Sequence, residues 1–487
     1  MSTHPATHHE PNHEPPHAAH LHDAAGHHDH AHASHGPAMH GPPADVLARY
    51  ARAYADAQPA PGHAVVRVDL EAHEFDWEFV AGRATRAWGY NAQVPGPVIE
   101  ARVGDVLEIH LVNSLSEPTT VHWHGLRVPA AMDGTDMAQH PIPPDGSFTY
   151  RFLLPDAGTF WYHPHSNETI QLEHGLYGAL IVRGDDEPLV DGERVLILDD
   201  VTLNADGQIA APAGWRERIE GREGDTLLVN GRSGPEIMLP AGHVERWRVV
   251  NASSARYVRL SLDGRTFRIL GTGGGLVEAP VSVTEVLLTP GDRVDVAVGP
   301  FAEGDVLPVE SLPYDRGLGL KPTEPFATLR VGVEAPSRAH VHERLRDIPA
   351  IADGSVRPTR VVRFGERAHT ERGLDFLIND EVHHRAEPVT VGSLQVWDIV
   401  NETTLDHPFH LHGFFFQVIE RDDRSPAFRS WQDTVNVPAG ARVRIAWIPD
   451  DRPGEWMYHC HILEHHEAGM MAHFVVVPAH EMVSSGA

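Results

Sequence analysis

The chain has 487 residues, room for about three domains of ordinary size. Its 39 Lys+Arg against 68 Asp+Glu give a formal charge of −29. That balance disfavours nucleic acid and anionic membrane, both polyanions, and suits metal cations and neutral or cationic organics. A single cysteine excludes an intrachain disulfide, and no apolar run approaches the roughly 20 residues of a membrane helix.

The start, Met1-Ser2-Thr3-His4-Pro5, has neither the basic nor the apolar region of a secretory leader. The sequence therefore reads as a protein that stays inside, or as one whose leader is removed or left out. Residues 1–62 are low in complexity, with 13 histidines between His4 and His40. Such a stretch buries too little apolar surface to offset its ordering entropy, so a disordered tail is expected, with a short helix at Asp45–Ala57. Its neutral imidazoles suit additional copper, nickel or zinc; the plain alternative is a linker or tag.

From His63 onward the alternation of Ala64–Leu70 and Val106–Val112 predicts strands. An internal repeat then organises the chain. Tyr90-Asn91, Gly104-Asp105-Val106 and Val112-Asn113 are echoed by Val229-Asn230, Gly242-His243-Val244 and Val250-Asn251. They are echoed again by Ile378-Asn379, Gly392-Ser393-Leu394 and Val400-Asn401. Three similar all-β units are expected, each a Greek-key sandwich or barrel, at 63–186, 187–336 and 337–487.

The chemistry-bearing residues fall in the first and third units. His122-Trp123-His124 and His163-Pro164-His165 lie in the first; His407-Pro408-Phe409-His410-Leu411-His412 and His459-Cys460-His461 through Met470 lie in the third. The second offers only His243. On a strand, residues i and i+2 share a face, so each His-x-His pair can converge on one metal or on neighbouring metals. One thiolate, two imidazoles and a distant axial thioether make a blue-copper site; the closing stretch supplies Cys460, His465 and Met470. Cys460 should face one side of its strand while His459 and His461 face the other, and the pairs of the first unit complete that second side if the outer units pack together.

These four motifs, in this order, resemble those of three-domain multicopper oxidases, which include laccases, bacterial cuprous oxidases and spore-coat laccases. The resemblance implies three consecutive cupredoxin-like domains and four copper ions. A type 1 copper would take His407, Cys460 and His465 with Met470 axial, and a type 2 copper His122 and His410. A type 3 pair would take His124, His163 and His461 on one ion and His165, His412 and His459 on the other. It also implies Asp133 as an acid near the solvent channel and Glu464 as a proton donor for oxygen reduction. Dioxygen is then one substrate, and a phenol, aromatic amine or metal ion the other. The lack of a Met-rich segment favours the organic reductant over Cu(I), and a copper-buffering protein without turnover is the rival from another class. A monomer, exported to the periplasm or beyond, is the family's expectation. Asp433 reads as a residue of the type 1 rim or of a surface turn, and Trp123 and Trp161 as shields of the imidazoles.

Overall fold

A computed structural model describes residues 57–212, 214–369 and 373–478. The His-rich tail and all but the last residue of the expected helix at Asp45–Ala57 lie outside the described residues. What is described is nearly all β, matching cupredoxin-like domains, with helices of only a turn or so. No helix among the described residues is long and apolar enough to cross a membrane.

Sheets stack in pairs over apolar cores. One four-stranded sheet runs Arg83–Tyr90, Val65–Val80, Val106–Asn113, Ser147–Leu153; a second runs Ile99–Arg102, Gly178–Arg183, Gly158–His163, His122–His124. Leu107, Ile109, Leu111 and Phe152 of the first meet Phe160, Leu180 and Val182 of the second. Seven- and five-stranded sheets enclose a core around Trp247, Val258, Phe267 and Phe326. Five- and six-stranded sheets enclose another around Phe364, Trp397, Trp456 and Phe474. Each such buried side chain contributes about 1.5–3 kcal/mol of apolar burial, which makes the sandwiches stiff supports.

The repeat legible in the sequence is turn chemistry used three times. In each copy the strand that ends at Asn113, Asn251 or Asn401 lies parallel to the strand that opens its unit. Each of these buried asparagines donates through Nδ2 to two backbone carbonyls. Asn113 reaches Glu117 and Ile142, Asn251 reaches Arg256 and Leu288, and Asn401 reaches Leu405 and Val437, at 2.7–3.1 Å. The earlier asparagines, Asn91, Asn230 and Asn379, sit at φ of 57°, 50° and 50°, the left-handed region this residue tolerates. Their side-chain oxygens accept from Glu71, Ile197 and Arg363 N–H at 2.7–2.9 Å.

The six-stranded sheet positions the chemistry. Its order is His384–Arg385, Met471–Val477, Gly454–Cys460, His407–Leu411, Thr434–Val437 across the main path. Cys460 lies opposite Phe409, and His459 opposite His410. Antiparallel partners share a face, so His407, two residues before Phe409, falls on the side of Cys460. His410, His412, His459 and His461 fall on the other. The uneven spacing His-x-x-His-x-His is what splits one strand between two sites.

Candidate metal centre

On one face, three donor atoms converge among buried apolar side chains. Cys460 Sγ lies 3.4 Å from His407 Nδ1 and 3.8 Å from His465 Nδ1, and the two nitrogens are 3.1 Å apart. The outer nitrogens are occupied elsewhere: His465 Nε2 donates to the Ile219 carbonyl at 2.8 Å, and His407 Nε2 pairs with Thr403 Oγ1 at 2.8 Å. With its proton on Nε2, His465 presents an unshared pair at Nδ1. Burial lowers both imidazoles, His465 to about 3 and His407 well below the usual histidine range, so each stays neutral. Burial pushes the Cys460 thiol up, so a thiolate here needs a compensating cation. Met470 is fully buried in the same core, and its carbonyl accepts from Cys460 N–H at 3.1 Å.

On the other face eight imidazoles crowd together. His122 lies opposite His163 on neighbouring strands, with His124 two residues on. His124 Nδ1 is 3.3 Å from His461 Nε2, and His412 Nε2 is 2.9 Å from His459 Nε2. His122, His410 and His412 can share one ion, as can His165, His412 and His459, or His122, His124 and His163. Four of the rings donate from Nδ1 to a backbone carbonyl: His122 to Asp133, His163 to Pro164, His410 to Asp433 and His459 to Cys460, at 2.8–3.0 Å. Their Nε2 atoms therefore carry no proton. Those of His122, His163 and His410 are buried with no hydrogen-bond partner, as is that of His165. Burial holds His124, His163, His412, His459 and His461 well below the usual range, each ring depressing its neighbours. A pocket of inward lone pairs without donors fits soft or borderline cations such as copper.

Eleven of the twelve ligand positions read from the sequence are thus gathered into two groups, and Met470 is buried in the same core as Cys460. Asp133, 2% exposed, is not an ordinary surface turn: its Oδ2 meets His412 Nδ1 at 2.8 Å. Glu464 stands apart. Burial raises its carboxyl to about 7, and its Oε2 faces the Gly221–Arg222 segment without a hydrogen-bond partner. Among the described residues no hydrogen bond or ion pair joins it to the imidazoles.

Two readings are corrected. Asp433 belongs neither to a surface turn nor to the rim of the sulfur site. It is 1% exposed, touches His124 Nε2 at 3.2 Å, and takes both arms of Arg293 at 2.6 Å. Trp123 shields no imidazole; strand alternation turns it into the first core against Tyr150 and Tyr162. Trp161 does stack on His163, centroids 4.2 Å apart.

Two further groups escaped sequence reasoning. Glu168 Oε1 lies 2.7 Å from His165 Nδ1, and its Oε2 lies 3.3 Å from His466 Nδ1. His466 in turn stacks on His459 at 4.3 Å. The i,i+3 spacing of His165 and Glu168 on a turn was the available signal.

Gly291 runs against this pocket at φ +83°; a Cβ there would come 2.7 Å from His461 Cδ2 and 2.8 Å from Nε2. Gly291→Ala is expected to displace that ring and cut copper affinity about 10–100-fold, the usual cost of disturbing a ligand's support, as read by metal analysis.

Sequence models of the multicopper oxidase family match residues 71–187, 192–304 and 359–480. A multicopper oxidase of Mycobacterium tuberculosis is 32% identical over 433 residues, 78% of this chain and 81% of that protein. A laccase of Bacillus subtilis is 27% identical, over 82% and 91% of the two chains. Among solved structures, a multicopper oxidase from Campylobacter jejuni, described as a metallo-oxidase, is 32% identical with a TM-score of 0.76, covering 85% of this chain and 91% of that one. With the sulfur–imidazole and imidazole pockets back to back, these likenesses identify the chain as a member of the three-domain, laccase-like multicopper oxidases, copper oxidoreductases that use dioxygen.

Proposed function

We propose that the chain couples one-electron oxidation of a phenol or aromatic amine at the Cys460 site to reduction of dioxygen to water in the histidine pocket. Four copper ions are assigned. A type 1 ion would be held by His407, Cys460 and His465 with Met470, and a type 2 ion by His122 and His410. A type 3 pair would be held by His124, His163 and His461, and by His165, His412 and His459. Residues 63–186 and 337–487 carry the ligands, and 187–336 link them. The observation that carries this reading is the alternation along one strand: Cys460 on one face, His459 and His461 on the other.

Copper, when bound, supplies the one-electron steps and the reduction of oxygen. The protein supplies the rest. Cys460 and its two peptide neighbours offer a short covalent path between the sites. His465 and His407 fix that path's outer end by holding Nε2 on Ile219 and Thr403. Asp133 orients His412 and can hold a proton at the pocket's edge. Glu464, with a carboxyl near 7, is assigned as the group that gives up protons at neutral pH, from the side of Arg222.

Metal-ion oxidation is the second reading, favoured by one feature. The helix Trp215–Glu220 packs beside the Leu463–Glu467 turn, and its Ile219 carbonyl caps the outer edge of His465. With Phe376 stacked on that imidazole at 3.9 Å and the Ile219 carbonyl on its edge, direct contact of a substrate's ring is blocked, which suits a small reductant. Oxygen uptake with a phenol and with Cu(I), for the full chain and for one lacking residues 1–60, separates the cases. Faster turnover of the phenol supports the first reading and faster Cu(I) turnover the second. Copper binding without uptake on either would leave only copper buffering.

A further inference from the structure

Outside both copper-ligand groups, the turn after the strand Phe416–Arg421 and the chain returning to Asp433 enclose a cleft of about 730 Å³. That is the size of small-molecule sites, roughly 300–1,000 Å³. Its walls are of two kinds. Val418, Pro426 and Phe428 supply apolar surface; Arg421, Arg424 and Gln432 supply polar groups, and Asp422 the one carboxylate.

Neither guanidinium is held by a carboxylate among the described residues. Arg421 is half-buried and donates from Nη1 to the Asn436 carbonyl at 3.1 Å, yet among the described residues neither it nor Arg424 forms an ion pair. The neighbouring acids are engaged elsewhere. Arg442 takes Glu420 and Asp423 through its side chain and Asp422 through its backbone N–H. Burial pushes the Arg421 guanidinium down, and the charges of Asp292 and Asp422 only partly offset it. In a chain of net charge −29, a concave site with two guanidinium groups outside any ion pair among the described residues, against the single carboxylate of Asp422, marks a place for an anion. Gln432 adds the second requirement. Backbone bonds to Phe416 hold it in place, while its side-chain oxygen is out of solvent with no donor.

We propose that this cleft binds a hydroxylated aromatic carboxylate, its carboxylate on Arg421 and Arg424, its ring between Phe428, Pro426 and Val418, and its hydroxyl donating to Gln432 once that buried amide turns toward the cleft. Such a ligand meets all three features at once: charge, apolar walls and a waiting acceptor. The site is independent of the redox reading, although an occupant would lie one residue from Asp433 and so beside the support of His124 and His410.

Calorimetry on the fully reduced, full-length, copper-loaded protein under argon tests this without turnover. The probes are 4-hydroxybenzoate, benzoate and benzyl alcohol. The expected order is 4-hydroxybenzoate, then benzoate, then benzyl alcohol, with the neutral alcohol at least about tenfold weaker than benzoate because charge-assisted bonds are lost. Arg424→Glu, at an exposed turn that tolerates change, is expected to weaken benzoate at least about tenfold. Gln432→Leu is expected to bring the two acids to equal affinity. Benzyl alcohol binding as tightly as benzoate, or benzoate binding unchanged in Arg424→Glu, would overturn the assignment.

Discussion

Cys460→Ser is expected to abolish the intense visible band of the copper-loaded protein and to lower oxygen uptake by more than about a thousandfold, a barrier increase above about 4 kcal/mol. A hydroxyl is a harder and less polarisable donor than a thiolate, and it does not favour the same copper geometry. The substitution replaces one sulfur at a fully buried position whose backbone bond to Met470 remains available, so the fold should persist. The histidine pocket is untouched, because none of its eight imidazoles faces Cys460. Copper analysis should therefore show that pocket still loaded while the colour is gone. A colourless wild type, or a serine variant that keeps both band and uptake, would remove the basis for the proposed function.

The second large effect is expected at Asp433→Asn. Arg293 and Asp433 are 0% and 1% exposed at their side chains and meet through two bonds of 2.6 Å. Neutralising one partner leaves a buried guanidinium without counter-charge, which costs roughly 3–5 kcal/mol. In a protein of this size, with an unfolding entropy of roughly 1 kcal/mol/K, that should lower the melting temperature by about 3–5 °C. Asp433 also supports His124 and His410, so copper affinity should fall about 10–100-fold in the same variant. Burial alone would raise the Asp433 carboxyl, but the Arg293 charge outweighs it and holds the group well below the ordinary aspartate range. Its contribution is thus fully present above the ordinary value near 4 and is lost as pH falls through the lower folded value. Calorimetry should find the wild type and the asparagine variant apart at pH 7 and converging in strong acid. Equal melting temperatures at pH 7 would show that the pair is structurally idle.

The residues that a local pattern can reveal were legible in the sequence. His-x-His spacing and a lone cysteine between histidines sufficed to group His122, His124, His163, His165, His410, His412, His459 and His461, because strand alternation turns spacing into facing. Asn113, Asn251 and Asn401 were legible as a repeat for a similar reason: each performs its turn chemistry within a few dozen residues. Asp433 was not legible. Its partners His124 and Arg293 lie 309 and 140 residues away, and Gln432-Asp433-Thr434 has the composition of any polar turn. The cap on His465 by Ile219 was hidden for the same reason, being set by packing across 246 residues. Trp123 shows the converse failure. It stands between two ligands in the chain and on the opposite face in space.

One strand carries both pockets, and that makes their separation a covalent constant. Adjacent residues of a trans chain stand 3.80 Å apart whatever the surrounding sandwiches do. No hinge opens between donor and acceptor, and no breathing of a loop lengthens the route from Cys460 to His459 or His461. Under the proposed function, variants that slow internal transfer must do so by altering driving force or reorganisation, because distance is not a free variable in this molecule.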